Sequence, residues 1–275
     1  MFSVVIPAYN SEKTLRRAVE SVIHQSRYDL IDEIIIVDDG SVDNTRNVVS
    51  RITDDYPQNK IIYIFQENAG PSSARNKGIK VANSEWIALL DADDLWLPNK
   101  IARQHEIISS NDNILFLGSQ YPLRVLFRKR QGLVKLSAYD LCIRSMPYTP
   151  TVVFDRKTAI EFGLFNEEYR YNEDADFFLK FLLLDSYYVL AEQLVEIDIG
   201  KDYYGASGLS SNIKEMYSGK KRNMRWLYDQ SLIRFPFLVL MNALCDIKLF
   251  RRTIIQIAYR VLKGNKRSAK IDGIS

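Results

Sequence analysis

Carboxylates gathered on short turns hold most of the chemistry this chain offers. Asp91, Asp93 and Asp94 stand in the run DADD, directly after the apolar stretch WIALL at 86–90. Acids two positions apart, on a turn leaving a buried strand, point in nearly the same direction. They can share a hard divalent cation, which takes oxygen ligands and bridges to substrate phosphates. Without a counter-ion, so many adjacent negative charges are costly. The other reading is an acidic cap on the helix that opens near Pro98. Asp38-Asp39, at the end of the apolar run EIIIVDD at 33–39, weighs toward the cation, because the two turns would be neighbours in one sheet.

Two further clusters fit phosphate and proton chemistry. NAGPSSARNKGI at 68–79 places Gly-Pro-Ser at a helix start, with Arg75 and Asn76 one turn inside. A helix N-terminus with a nearby arginine favours an anion; an ordinary surface arginine is the alternative. Neither GxGxxG nor GxxxxGK[ST] is present, so the dinucleotide fingerprint and the P-loop do not apply. NEDADFFLKF at 172–181 sets Glu173, Asp174 and Asp176 ahead of an apolar stripe of Phe177, Phe178, Phe181 and Leu182. The stripe would fix a helix against the core and leave the acids on its first turn. A carboxylate there can act as general base for a hydroxyl, or simply complement the positive end of the helix.

The elements that must position these groups follow from periodicity. SVVIP at 3–7, EIIIVDD at 33–39, IIYIF at 61–65, WIALL at 86–90 and ILFLGS at 114–119 are near-continuous apolar runs. Amphipathic helical patterns separate them. That alternation predicts a mostly parallel sheet with helices on both faces, where ligands bind beyond the carboxyl ends of the strands. Tyr9-Asn10, Asp38 to Ser41, Glu67 to Gly70 and Asp91 to Asp94 all fall at those ends. Further on, RVLFRKRQGLVK at 124–135 reads as an exposed basic loop or hairpin, TPTVVF at 149–154 as a strand and 173–185 as a helix. A basic helical zone runs from 213 to about 263.

With 275 residues, 47% hydrophobic and 26% charged, the chain can bury a full core, which excludes disorder and collagen-like structure. Cys142 and Cys245 lie far apart without CxxC spacing, which argues against a disulfide framework or zinc site and for a reducing compartment. His24 and His105 sit in helical patterns as surface or packing residues. The N-terminus enters a strand without the pattern of a signal peptide, and no stretch reaches the ~18–20 apolar residues of a spanning helix. Residues 214–275 carry 14 Lys/Arg against 4 Asp/Glu, a balance of +10, while residues 1–213 carry 23 against 30, a balance of −7. An acidic body with a basic tail suggests metal and phosphate chemistry in one and an anionic surface for the other.

Taken in order, VVIPAYNSEKTLRRAVESVIHQS, IIIVDDGSVDNT, ENAGPSSARNKGI, LLDADDLWLP and FGLFNEEYRYNEDADFFLKF resemble the pattern of family 2 glycosyltransferases with the GT-A fold, over about residues 1–210. The similarity is greatest to bacterial enzymes of surface-polysaccharide synthesis. The resemblance implies an inverting transfer of sugar from a nucleotide-diphosphate sugar, a UDP-sugar above all, to a glycan or lipid-linked glycan, with no nucleic-acid partner. A divalent metal, Mn or Mg, would be the cofactor. Pro7, Ala8, Tyr9 and Glu12 would line the base pocket, with Asp39 at the base or ribose and Arg75 and Asn76 beside the nucleotide. Asp91, with Ala92, would approach the ribose. Asp93 would hold the metal and Asp174 would be the catalytic base.

The same resemblance divides the chain into a catalytic domain, 1–212, with a nucleotide-binding half at 1–120 and an acceptor-binding half at 121–212, and a basic tail at 213–275. YYGASGLSSN at 203–212 is similar to the Gly-x-Ser stretch that follows the catalytic acid, but Ser207 to Ser210 include no histidine. Arg222-Asn-Met-Arg225-Trp226 stands where processive members carry Gln-x-x-Arg-Trp, which suits single addition. A sugar-nucleotide nucleotidyltransferase would need a glycine-rich basic loop after the first strand, and SVVIPAYNSEKT has none. A non-catalytic membrane scaffold of this fold would not need the acids at 91, 93 and 174. The tail is expected to hold the enzyme on the inner, cytoplasmic face of the cell membrane through residues 231–270, where Ile247, Phe250, Ile254, Ile257, Ala258 and Val261 recur at helical spacing beside Lys and Arg.

Overall fold

β-Branched apolar runs form four strands, β1 (Phe2–Ala8), β2 (Ile31–Asp39), β3 (Ile61–Gln66) and β4 (Trp86–Leu89), in a computed structural model that describes residues 1–120, 132–143, 146–196 and 212–271, with side chains in the last helix as far as 254. Helices α1 (Leu15–Ile23), α2 (Thr45–Asp55) and α3 (Pro71–Val81) follow the first three strands. A short strand β5 (Leu95–Trp96) and helix α4 (Lys100–Ser109) follow the fourth. Then come β6 (Phe116–Gln120), β7 (Leu133–Lys135), α5 (Ala138–Ile143), β8 (Val153–Asp155), α6 (Arg156–Glu161), α7 (Glu173–Leu179), β9 (Tyr188–Gln193) and β10 (Val195–Glu196).

The main sheet has eight strands in the order β3-β2-β1-β4-β8-β6-β9-β7, and β5 pairs with β10 separately. Neighbours β3, β2, β1 and β4 are parallel, as are β6 and β9; β8 and β7 run against their neighbours. The sheet is therefore mostly parallel, and alternation along β1 and β2 shows how both faces are covered. Val4, Ile6, Ile34 and Ile36 join Leu15, Ala18, Val19 and Val22 of α1, Val49 and Ile52 of α2 and Ile101 of α4 in one core. On the other face α3 lies so close that a Cβ at Gly78 would stand 2.4 Å from a methyl of Val5 and 3.4 Å from Val37. Only glycine permits that approach.

The latter part of this unit differs from the sequence expectation in two places. TPTVVF is not one strand: Thr149–Thr151 is a 3-10 turn closed by Thr151 N–H to the Tyr148 carbonyl, 2.8 Å, and β8 begins only at Val153. Pro150 lacks the N–H a central strand needs and suits the first turn of a helix instead. The helix expected over 173–185 is α-helical only to Leu179 and tightens to 3-10 over Lys180–Leu184. Of the basic segment at 124–135, residues 133–135 are β7 and the rest lies outside the described residues, as does YYGASGLSSN up to Ser211. Behind α7, Phe116, Phe154, Phe177, Phe178, Phe181 and Tyr187 pack with ring centroids 4.4–6.0 Å apart, a rigid wall for the first turn of α7.

The chain divides into two compact units, Met1–Gly200 and Lys201–Ser275. The second contains α8 (Ile213–Asp229), capped by Asn212, whose side-chain oxygen accepts from Glu215 N–H, and α9 (Phe235–Ile271). Among the described residues, no helix is long and apolar enough to cross a membrane.

Candidate active site

The turns that leave β1 and β2 are knitted together by their own polar groups. Asn10 N–H donates to Ser41 Oγ at 2.9 Å, and Val42 N–H donates to Asn10 Oδ1 at 2.9 Å. Ser11 N–H reaches Thr45 Oγ1, Glu12 N–H reaches Asp43, and the Glu12 carboxylate accepts from Asn44 N–H at 3.1 Å. Glu12 thus braces the start of α2. Pro7 and Ala8 end β1, and Tyr9, 53% exposed, opens outward from it.

Asp38 and Asp39 are both buried. Asp38 accepts from Ser41 N–H at 2.9 Å and from the Tyr63 hydroxyl at 2.7 Å. Asp39 accepts from Gln66 Nε2 and from the N–H groups of Ala69 and Gly70 at 2.7, 2.9 and 2.8 Å, while Asn68 Nδ2 donates to its carbonyl. Four hydrogen bonds fold the segment after β3 over the end of β2 and set the entrance to α3. Gly40, at φ +77°, allows this: a Cβ there would meet Asn68 N at 2.8 Å.

Arg75 lies at the centre of the second group. Its buried guanidinium donates to Asp91 Oδ1 at 2.9 Å and to Glu173 Oε1 at 3.3 Å, and its Cζ stands 5.5 Å from the Phe165 ring centroid. One cation from α3 therefore joins the turn after β4 to the first turn of α7, across 98 residues of sequence. Asp174 is next to Glu173, and its carboxylate accepts from Ala175 N–H at 2.7 Å. Asn172, in the left-handed conformation at φ 55°, starts α7 abruptly and aims these acids into one place.

Negative charge is in excess there. Among the described residues, Arg75 is the cation that faces the carboxylates of Asp91, Glu173 and Asp174. Burial, then the Asp174 charge, raise Glu173 to about 7 against the opposing pull of Arg75. Burial also raises Asp174, with Asp91 adding to it while Ala175 N–H and Arg75 counter it. The acids consequently hold a proton more readily than free carboxylates. Behind them burial, and then the Asp174 charge, push the Tyr187 hydroxyl well above the usual tyrosine range, which keeps it protonated.

Asp91, Ala92, Asp93 and Asp94 form a tight turn, with Asp94 N–H on the Asp91 carbonyl at 3.1 Å. Asp91 is engaged by Arg75, Ala92 and Asp94 are buried, and Asp93 is partly exposed. Among the described residues no three His, Cys, Asp or Glu side chains gather as a complete metal site. The donor set nevertheless fits a hard cation in the mode that Mg²⁺ and Mn²⁺ adopt with nucleotides, one or two carboxylates with phosphate and water completing the shell. The excess of negative charge around Arg75 points the same way, since a divalent ion would relieve it.

Pro7, Ala8, Tyr9, Glu12 and Asp39 thus lie at or just beyond the carboxyl ends of β1 and β2, and Asp91 and Asp93 on the turn after the parallel β4, where Arg75 joins Asp91 to Glu173, next to Asp174. Asn76 stands apart. Its amide donates to the Phe165 carbonyl at 2.9 Å and to Glu167 at 2.8 Å and accepts from Phe165 N–H at 2.9 Å, so it is buried in fixing the approach to α7. Glu173, which the sequence distinguishes only as one of three acids on a helix start, proves to be the second partner of Arg75. No local pattern pairs residues that far apart.

Comparisons with known proteins agree with this architecture. The profile described as Glycosyl transferase family 2 matches residues 3–158. An uncharacterized glycosyltransferase of Rickettsia typhi is 32% identical over 208 residues, covering 71% of this chain and 63% of its own. The minor teichoic acid biosynthesis protein GgaA of Bacillus subtilis is 34% identical over 202 residues, covering 68% and 44%. The chain thus spans less than two thirds of the length of these relatives. Among solved structures, S. aureus TarS 1-349 in complex with UDP-GlcNAc superposes with a TM-score of 0.65 at 20% identity, covering 81% of this chain and 65% of that one. The mannosyltransferase PcManGT from Pyrobaculum calidifontis, in complex with GDP-Man and Mn²⁺, superposes at 0.69 with 16% identity, covering 89% and 68%. The fold is that of GT-A glycosyltransferases, and the chain belongs to glycosyl transferase family 2.

Proposed function

We propose that this chain transfers a sugar from a nucleotide-diphosphate sugar, a UDP-sugar above all, to an acceptor hydroxyl with inversion at the anomeric carbon. The observation that carries the reading is the pairing of two acid turns through Arg75, which bonds Asp91, two residues before Asp93, and Glu173, the neighbour of Asp174. Asp174 takes the proton of the acceptor hydroxyl as that oxygen bonds to the anomeric carbon. The bond from that carbon to the diphosphate breaks, and the nucleoside diphosphate leaves with the electron pair. Burial raises the affinity of Asp174 for the proton, which suits a general base. Asp93 would hold a divalent metal, Mn²⁺ or Mg²⁺, whose charge stabilises that of the departing diphosphate.

Pro7, Ala8, Tyr9 and Glu12 surround the nucleotide base, with Asp39 holding the loop at 66–70 that closes beside it. A relative named for minor teichoic acid biosynthesis and a fold neighbour solved with UDP-GlcNAc support a surface glycan as product and a UDP-sugar as donor. The acceptor is a lipid-linked glycan, reached from the cytoplasmic side of the cell membrane. Nucleoside-diphosphate binding with and without Mn²⁺ tests the reading. Asp93→Ala is expected to lose at least about tenfold in metal-dependent affinity while keeping its unfolding temperature. Equal metal-dependent affinity in variant and parent removes Asp93 from the site.

A further inference from the structure

Helix α9 is apolar on two sides, and α8 accounts for only one. Leu238, Met241 and Cys245 recur at helical spacing and are buried. That side is engaged with α8, where Lys221 meets Asp246 at 2.5 Å and Arg252 Cζ lies 5.9 Å from the Tyr217 ring centroid. On the opposite side Val239, Leu240, Leu244, Ile247, Phe250 and Ile254 are exposed, Ile247 by 64% and Phe250 by 70%. At 100° per residue these six fall within an arc of roughly 140°. A helix with apolar residues all round belongs in a second apolar environment, and an exposed stripe of this kind marks an interaction site.

Charge identifies the occupant. At the same spacing Arg251 falls within the arc and Lys248 just beyond its edge, and both are exposed. Residues 214–275 hold 14 cationic side chains against 4 acidic ones. Two copies meeting along this helix would bring like charges together. A surface of anionic lipid offers both complements at once, acyl chains for the arc and headgroups for the cations.

We infer that α9 lies along an anionic lipid surface with Val239, Leu240, Leu244, Ile247, Phe250 and Ile254 dipped into it.

Co-sedimentation of the full chain with vesicles of phosphatidylcholine containing about a third phosphatidylglycerol tests it. At low salt the parent is expected to bind at least tenfold more strongly than to pure phosphatidylcholine and to be released as salt rises. Ile247→Glu with Phe250→Glu should cut vesicle binding at least tenfold with unchanged unfolding temperature and unchanged nucleoside-diphosphate binding. A parent that ignores anionic vesicles overturns the inference, as does a double variant that binds them equally. A parent dimeric by light scattering that the double variant turns monomeric assigns the arc to a second copy instead. A fall of several degrees in the variant's unfolding temperature assigns it to the protein's own interior.

Discussion

Glu33 and Glu173 are two glutamates largely withdrawn from water, and their surroundings drive them in opposite directions. Glu33 begins the inner part of β2 and is 0% exposed at its side chain. Burial alone would raise it, but Lys60 Nζ at 2.9 Å, Asn83 N–H at 2.7 Å, Ser3 Oγ at 2.8 Å and the Asn83 amide outweigh burial and lower it to about 2. Glu173, at the opposite end of the sheet, has a share of one guanidinium, and burial with Asp174 beside it raises it to about 7. The first acid is over-supplied with donors and ties β1, β2 and the end of α3 together. The second is under-supplied, so it stands ready to respond to an arriving cation or proton. Among the described residues, the amply paired Glu33 thus stands at the amino end of the sheet and the sparsely paired Glu173 at the carboxyl end, where ligands bind.

Asp174→Asn strikes the under-supplied end hardest. It should remove transfer by ~10²–10⁴-fold, the usual contribution of a positioned base, with donor binding near the parent's. It also removes the neighbouring charge that raises Glu173, so Glu173 should titrate lower in the variant. Retention of more than about a tenth of the activity takes the base role from Asp174.

Glu33→Gln sharpens the other end. A carboxylate lowered in the folded state contributes stability that is fully present above its unfolded value near 4.5 and is lost as pH falls through 4.5 toward about 2. Chemical unfolding should show Glu33→Gln less stable than the parent by about 2–3 kcal/mol at pH 7, the difference closing toward pH 2. A gap that stays constant across that window means packing, not charge, holds Glu33.

Glu173→Gln is the smallest effect and has the reverse sign. A carboxyl raised in the folded state contributes stability present below about 4.5 and lost as pH rises through about 7. Relative to the parent, the variant should gain on the order of 1 kcal/mol between pH 5 and pH 8. The shared guanidinium of Arg75 limits the gain. Parallel pH profiles for both proteins would remove the contrast between the two glutamates.

Much of this was legible in the residues. Apolar runs such as EIIIVDD can be buried on both faces only in a parallel sheet, so β1 to β4 and α1 to α3 follow from local pattern, and the acids of DADD and NED fall at strand and helix ends for the same reason. Pro150 also carries a local signal, its missing N–H, which the apolar context of TPTVVF masked. Only tertiary packing decided which acids are partners. Arg75 reaching Glu173, Asn76 clamping the Phe165 backbone and Asp39 gripping the turn at 66–70 join residues 27–98 positions apart. Such contacts depend on how α3 and α7 are brought together over the sheet edge, and no periodicity encodes them. The same holds for charge state: Glu33 and Glu173 are the same residue in sequence, and burial, donors and neighbours, all set by the fold, make the first the stronger acid and the second the weaker.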